Sequence, residues 1–319
     1  MTPPFQTLDS DLFARAQTLL DEDWLARDAD LAPVLPTVLA RGVGQDWHKA
    51  GTFRHHLVGV ARSLTLWQQP REVRLLGLLH SVYGNAFVDL VKFDPASERA
   101  RLRELVGEEA EELVFLFCQR PRAQLVQRVL EGAIAADGSV LLQDASGEHR
   151  LTAPQVAAFI VVSMADTIEQ WFSWQDDIYS RFPKVEHRPQ NVHWAASLWP
   201  GPMRPSGRML HQISLLGRAL AHPALSGLLP TPPVFNHCQQ ALGAPDEAAA
   251  TALYWSVIQQ DQPLVDLDVA TAVLEQAVRH NPYVGEPQMV LAQLYLSAGR
   301  SADAEQAAAS ALQQFSAWG

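Results

Sequence analysis

Cysteine is almost missing from this sequence: Cys118 and Cys238 are the two thiols in 319 residues. So sparse a supply excludes a cysteine-ligated zinc ribbon and makes a disulfide framework implausible, which points to a reducing compartment. Long apolar runs are missing too. The most apolar one, AAFIVVSMA at 157–165, is nine residues, far short of the ~20 that span a bilayer. The opening MTPPFQTLDSDLF has neither the basic start nor the apolar centre of a secretion signal, so a cytoplasmic setting with no membrane partner is expected. Positive charge is scarce: 24 Lys and Arg face 35 Asp and Glu, a formal net charge of -11. A broad nucleic-acid surface is therefore not expected, although one small anionic substrate remains compatible. No Gly-rich phosphate loop or dinucleotide fingerprint occurs, so no nucleotide cofactor is indicated.

What the chain has in quantity is apolar residues at helical spacing. Hydrophobic residues make up 48% and charged ones 18%, the balance of a globular chain with ample core. Leu12, Ala16, Leu19 and Leu20 share one face of a helix expected over 8–27. A second is expected over 31–39, stopping near Gly42-Val43-Gly44. Thr52 is placed to cap a third, which ends before Pro70 and carries Phe53, His56, Val60, Leu64 and Trp67 on one stripe. The segment REVRLLGLLHSVYG at 71–84 is apolar nearly all round, as a helix in the middle of a bundle would be. Two more helices are expected over 98–117 and 123–136, separated by Pro121. The period then changes: SVLLQDASGEHRLT at 139–152 alternates around Ser146-Gly147 and predicts a small β-hairpin. A long helix starts at Thr152, with Pro154 just inside, and runs through Ile160, Met164, Ile168 and Trp171. Residues 183–205 are expected to be irregular, a helix follows at 207–221, and 223–233 is the best linker.

Beyond the linker the chain repeats itself. Tyr254 and Gln288, Ala270 and Ala304, and Ala277 and Ala311 each stand one 34-residue period apart. Small residues at those offsets let paired helices approach closely, and Pro282 ends one unit. This part resembles the tetratricopeptide family over 246–315, with Tyr254 where tryptophan is usual. So short an array rarely stands alone. The expected division is a helical metal-binding domain over 1–225 and a repeat module over 234–319, which offers a possible docking surface for a protein partner.

The chemistry concentrates in three places. HHLVGVARSL at 55–64 puts His56 on the inward stripe of its helix, with His55 turned about 100° away. His80 ends the all-apolar helix. Asp166 lies in IVVSMADTIEQW, where a lone ionised carboxylate would cost several kcal/mol unless paired or bound to a cation. Two imidazoles and a carboxylate, each inward on a separate helix, would solve that problem by sharing a metal. RHHLVGVARSL, LLGLLHS and MADTIEQ resemble the three motif segments of the HD-domain superfamily. The resemblance covers roughly residues 40–180 and places the first histidine at His56, the paired histidine at His80 and the late aspartate at Asp166. The aspartate of the pair is Ser81 here, in an HSVYG variant, and neutral serine is a poor metal ligand.

Taken together, the expected fold is all-α: an HD-like helical bundle with a β-hairpin insertion, then tetratricopeptide-like hairpins. The expected metal ligands are His56, His80 and Asp166, the composition of a two-histidine, one-carboxylate iron site. The expected cofactor is one divalent metal, Fe(II) in preference to Mn(II) or another ion. His48 and His55 are candidate catalytic acid/base groups. The expected activity is oxidation of a small molecule or peptide; a phosphohydrolase and a non-catalytic scaffold are the alternatives.

Overall fold

The structure is a computed structural model that describes residues 7–19, 28–48, 51–84, 90–181, 209–258 and 266–318; over 170–181 and at residues 47, 48 and 51 it describes backbone alone. The described residues form an all-α fold with a small β-hairpin insertion. Helix α1 (Ser10–Leu19) starts where Asp9 Oδ1 accepts from the N–H groups of Asp11 and Leu12, both at 3.0 Å. The rest of the expected 8–27 helix lies outside the described residues. A short α2 (Leu35–Leu39) follows. Trp47–His48 and Gly51–Thr52 form β1 and β2, a two-residue ribbon that no sequence pattern announced.

Helix α3 (Phe53–Leu66) begins on the predicted cap: Thr52 accepts from the His55 N–H, and the His55 side chain returns to the Thr52 backbone. Its expected stripe is buried throughout, from Phe53 through His56, Val60 and Leu64 to Trp67. Helix α4 (Arg71–Leu79) buries Val73 and every residue from Leu75 to Leu79, as a helix inside a bundle must. His80 is its C-cap, and a turn over 80–83 carries the chain away.

The expected 98–117 helix is two: α5 (Arg99–Val106) and α6 (Glu108–Gln119). Gly107 divides them with φ +92, a conformation that costs glycine little and other residues much. Helix α7 (Arg122–Leu130) follows Pro121. The hairpin is present as β3 (Val140–Asp144) and β4 (Gly147–Leu151) in antiparallel register, with Ala145 and Ser146 as its loop. Helix α8 (Ala153–Arg181) packs against both α3 and α4, and α9 (Met209–Ala219) packs on α7 and α8. The irregular segment expected at 183–205 lies outside the described residues.

After a left-handed turn over Val234–Cys238 come two antiparallel helix pairs, α10 (Ala244–Ile258) with α11 (Leu267–His280), and α12 (Glu286–Ser297) with α13 (Ser301–Trp318). The period-related residues Tyr254, Gln288, Ala270, Ala304, Ala277 and Ala311 are all buried. The two halves share one hydrophobic core. Helix α13 lies against α1, and Trp67 Nε1 donates to the Ala317 carbonyl at 3.0 Å. Among the described residues no helix is long and apolar enough to cross a membrane.

Candidate metal centre

Three helices converge on one point below the α3/α4 contact. Gly77 lets α4 come close: a Cβ there would stand 2.1 Å from Leu64 Cδ1 of α3. With the helices that near, His56 Nε2 and His80 Nε2 stand 3.0 Å apart. Helix α8 adds Asp166, whose Oδ1 is 3.3 Å from His56 Nε2 and 3.7 Å from His80 Nε2. The three residues are 3%, 1% and 4% exposed, so water is nearly excluded. They form a buried His-His-Asp group able to hold a metal ion, and no other such group occurs among the described residues.

The partners of each imidazole decide what its Nε2 can do. His80 Nδ1 lies 2.7 Å from the Gly77 carbonyl oxygen, which only accepts, so Nδ1 carries the proton and Nε2 presents a lone pair in the neutral ring. His56 Nδ1 meets the carboxylate of Glu169, which fixes its tautomer in the same sense. Two lone pairs and a carboxylate oxygen thus point at one another in a dry space. That arrangement is repulsive unless a proton or a cation sits among them. Metal-ligating histidines characteristically have their second nitrogen held this way by a carbonyl or a carboxylate.

Spacing gives an independent test of fit. Two donors ~2.1 Å from one ion at a near-tetrahedral angle stand about 3.4 Å apart. The separations of 3.0, 3.3 and 3.7 Å bracket that value.

A single proton satisfies the cluster when no cation does. Burial disfavours a charged His56, but hydrogen bonds and charge from Asp166 and Glu169 outweigh it and raise the pKa to about 9. His80 goes the other way: burial first, then the positive charges of His56 and Arg122, push it down to about 3 against the pull of Asp166. Burial alone would raise Asp166, yet Arg122 and the two imidazoles hold it well below the usual carboxylate range. The Arg122 Nη1 sits 2.8 Å from Asp166 Oδ2, which leaves Oδ1 turned toward the histidines.

Of the five residues singled out in the sequence, the structure brings three together. His55 is exposed and completes the cap of α3 instead of joining the cluster. The side chain of His48 lies outside the described residues. Ser81 is buried next to His80 in the chain. Sequence reasoning missed Glu169 and Arg122. Glu169 carried a signal, since it stands three residues after Asp166 and so on the same helix face. Arg122 carried none, because its approach depends on how α7 packs.

Glu169 also needs space that only a glycine leaves. A Cβ on Gly59 would come within 2.6 Å of Glu169 Cγ. Gly59→Ala is therefore expected to push the carboxylate off His56 and weaken metal binding roughly 10–100-fold, the usual loss for an outer partner of a ligand. A competition titration with a metallochromic chelator measures this. Unchanged affinity in the variant would mean that Glu169 does not orient His56.

Comparison with known proteins adds one match. A family described as a domain of unknown function (DUF6817) matches residues 37–122. That span takes in His56 and His80 and ends before Asp166. No curated protein and no solved structure matches the chain.

Proposed function

We propose that the protein is a mononuclear metal enzyme in which His56, His80 and Asp166 hold one divalent cation, Fe(II) foremost, for oxidation of a small molecule or peptide. The observation that carries this reading is the convergence of three buried acceptor atoms whose other sides are held by Gly77, Glu169 and Arg122. Two imidazoles and one carboxylate suit a ferrous ion and leave further coordination positions open. Bound there, iron would supply redox chemistry and Lewis acidity. The chain's own residues would fix the ligands, keep water out and hold Asp166 ionised. The order His56, His80, Asp166 along the chain supports kinship with the HD superfamily, with Ser81 in place of the paired aspartate. The two C-terminal helix pairs, which we read as tetratricopeptide-like, brace the bundle and offer a surface to a protein partner.

Nitric oxide separates oxidation from hydrolysis. Loaded anaerobically with Fe(II), the protein is expected to give an iron–nitrosyl spectroscopic signal that disappears in His80→Ala. Phosphate esters are expected to stay intact with Fe(II), Mn(II) or Mg(II). Robust oxygen-independent, metal-dependent phosphatase turnover would overturn the oxidative reading in favour of a metal-activated water. If neither assay responds, the scaffold reading stands.

Binding is also expected to depend on pH in a stated direction. The metal-free cluster keeps its proton on His56 up to about pH 9, and an incoming cation must displace it. Affinity should therefore climb about tenfold per unit between pH 7 and 9 and then level off, with about one proton released per metal at pH 7.5. Calorimetry in two buffers of different ionisation enthalpy reads that proton. A flat profile would place the proton elsewhere.

A further inference from the structure

The β3–β4 hairpin leaves one of its two edges open. Its register pairs Asp144 with Gly147 at the loop, then Gln143 with Glu148, Leu142 with His149 and Leu141 with Arg150. Along an antiparallel ladder, residues bonded to each other alternate with residues whose N–H and C=O point away. Gln143 shows which set is which. Its N–H and its carbonyl are both taken by the Gln124 side chain of α7, at 2.6 and 3.2 Å, so they face outward. Its ladder partner Glu148 therefore faces outward on the far side, and Arg150, two residues on, does the same. Helix α7 thus covers the β3 edge, whereas among the described residues nothing bonds to the backbone groups of Glu148 or Arg150 on theirs.

An open edge is a template for another strand. The side chains on this one select which strand fits. Glu148 and Arg150 are both exposed, stand on one face of β4, and carry opposite charges two residues apart. If β4 pairs antiparallel with its own copy about a two-fold axis at His149, Glu148 of each copy stands directly opposite Arg150 of the other. These are also the residues whose backbone groups face outward, so each of the two pairs can exchange its N–H···O bonds. Each pair also sets opposite charges in cross-strand contact. Glu148 has no ion-pair partner among the described residues. Arg150 meets Asp137, but their side chains are 60% and 56% exposed, and so exposed a pair holds weakly. Charge of one sign along an edge keeps other strands away; this edge complements itself.

We infer that the open edge of β4 is an interface between two copies of this chain, which joins their hairpins into one four-stranded antiparallel sheet. The inference uses none of the metal ligands and does not rest on the metal reading.

Sedimentation velocity of the full-length protein, in a concentration series reaching about 1 mM, tests it. The shared edge is short and falls below the ~1,200 Å² of a stable complex, so a reversible dimer with a Kd on the order of 100 µM is expected. High salt should loosen it, because its ion pairs are exposed. Arg150→Glu sets like charges opposite each other and should weaken the dimer about tenfold or more, and Glu148→Arg should do the same. Mixed together, the two variants should associate again, because each then presents charges opposite to those of the other. The double reversal should dimerise like the parent. Both positions are exposed, and a thermal melt of each variant checks the fold. A chain that stays monomeric throughout the series would overturn the inference, even if the edge then takes an extended peptide of another protein. So would a dimer indifferent to either reversal, or a mixture of the two variants that fails to associate.

Discussion

Replacing His80 with alanine is expected to abolish metal binding and to leave the chain folded. The imidazole is buried, and its pKa of about 3 means that it is neutral in the metal-free protein. Its removal strands no charge, so the cost should be the roughly 1–3 kcal/mol of an ordinary buried truncation. Its Nε2 is one of the three convergent donors found among the described residues, and affinity should fall by at least ~10³-fold, beyond what an outer partner contributes. Asp166→Ala should lose the metal as well but behave differently without it. Arg122 and the protonated His56 both rely on that carboxylate, at 2.8 and 3.3 Å. Breaking a buried ion pair from one side costs ~3–5 kcal/mol. Elemental analysis of protein purified without chelators measures the first effect. Thermal melts in EDTA measure the second. If the two variants melt alike when metal-free, Asp166 is not the counter-charge of the cluster; if His80→Ala keeps full metal content, His80 is not a ligand.

Separating residues 1–233 from 234–319 is expected to leave neither part folded. The division matches the change in sequence pattern, but the apolar core runs straight through it. Leu12 and Ala16 of α1 and Trp67 after α3 are buried in the region where α1 meets α13. Trp67 gives its indole N–H to Ala317 at 3.0 Å. From the other side, Glu247 accepts from the backbone N–H groups of Leu210 and His211 at 3.1 and 2.9 Å. The left-handed turn lies against α9 of the other part, while its Phe235, at φ +53, packs edge-on to Tyr283 and Trp318 within its own. Four consecutive non-glycine residues in that conformation cost about 1–2 kcal/mol each, a cost only tertiary contact can offset. Exposing a large side chain such as Trp67 forfeits ~2–3 kcal/mol. The C-terminal fragment alone should aggregate or melt broadly, and coexpression of the two parts should restore a soluble complex. A sharp cooperative melt from a soluble monomer of 234–319 would make it an independent domain.

Much of this was legible in the chain itself. Period alone predicted the all-α fold, the hairpin and the buried stripe of α3, because burial of one helix face forces apolar residues to recur every three or four positions. The Thr52 cap was readable because capping is local chemistry. His56, His80 and Asp166 stood out because each is a polar residue on an otherwise apolar inward face, and such a residue needs a partner. The pattern could not say that the three would meet. That rests on the close approach of α3 and α4 at Gly77, and on α8 crossing both. The sequence likewise named His55 beside His56 without distinguishing them fully; the ~100° between adjacent helix positions sends the first to the cap and the second to the cluster.

The set of elements and the residues that had to be accounted for could be read from the chain directly, since both follow from interactions within a few positions along it. The meeting of those residues is a product of the fold: the 3.0 Å between two imidazoles, the anchoring of His56 by Glu169 and the turn of Asp166 by Arg122. These are contacts between residues far apart in the chain, set by how whole helices pack. No local pattern encodes them, because the same helix can be laid against its neighbours at several angles and registers, and only the packing of the complete core selects one.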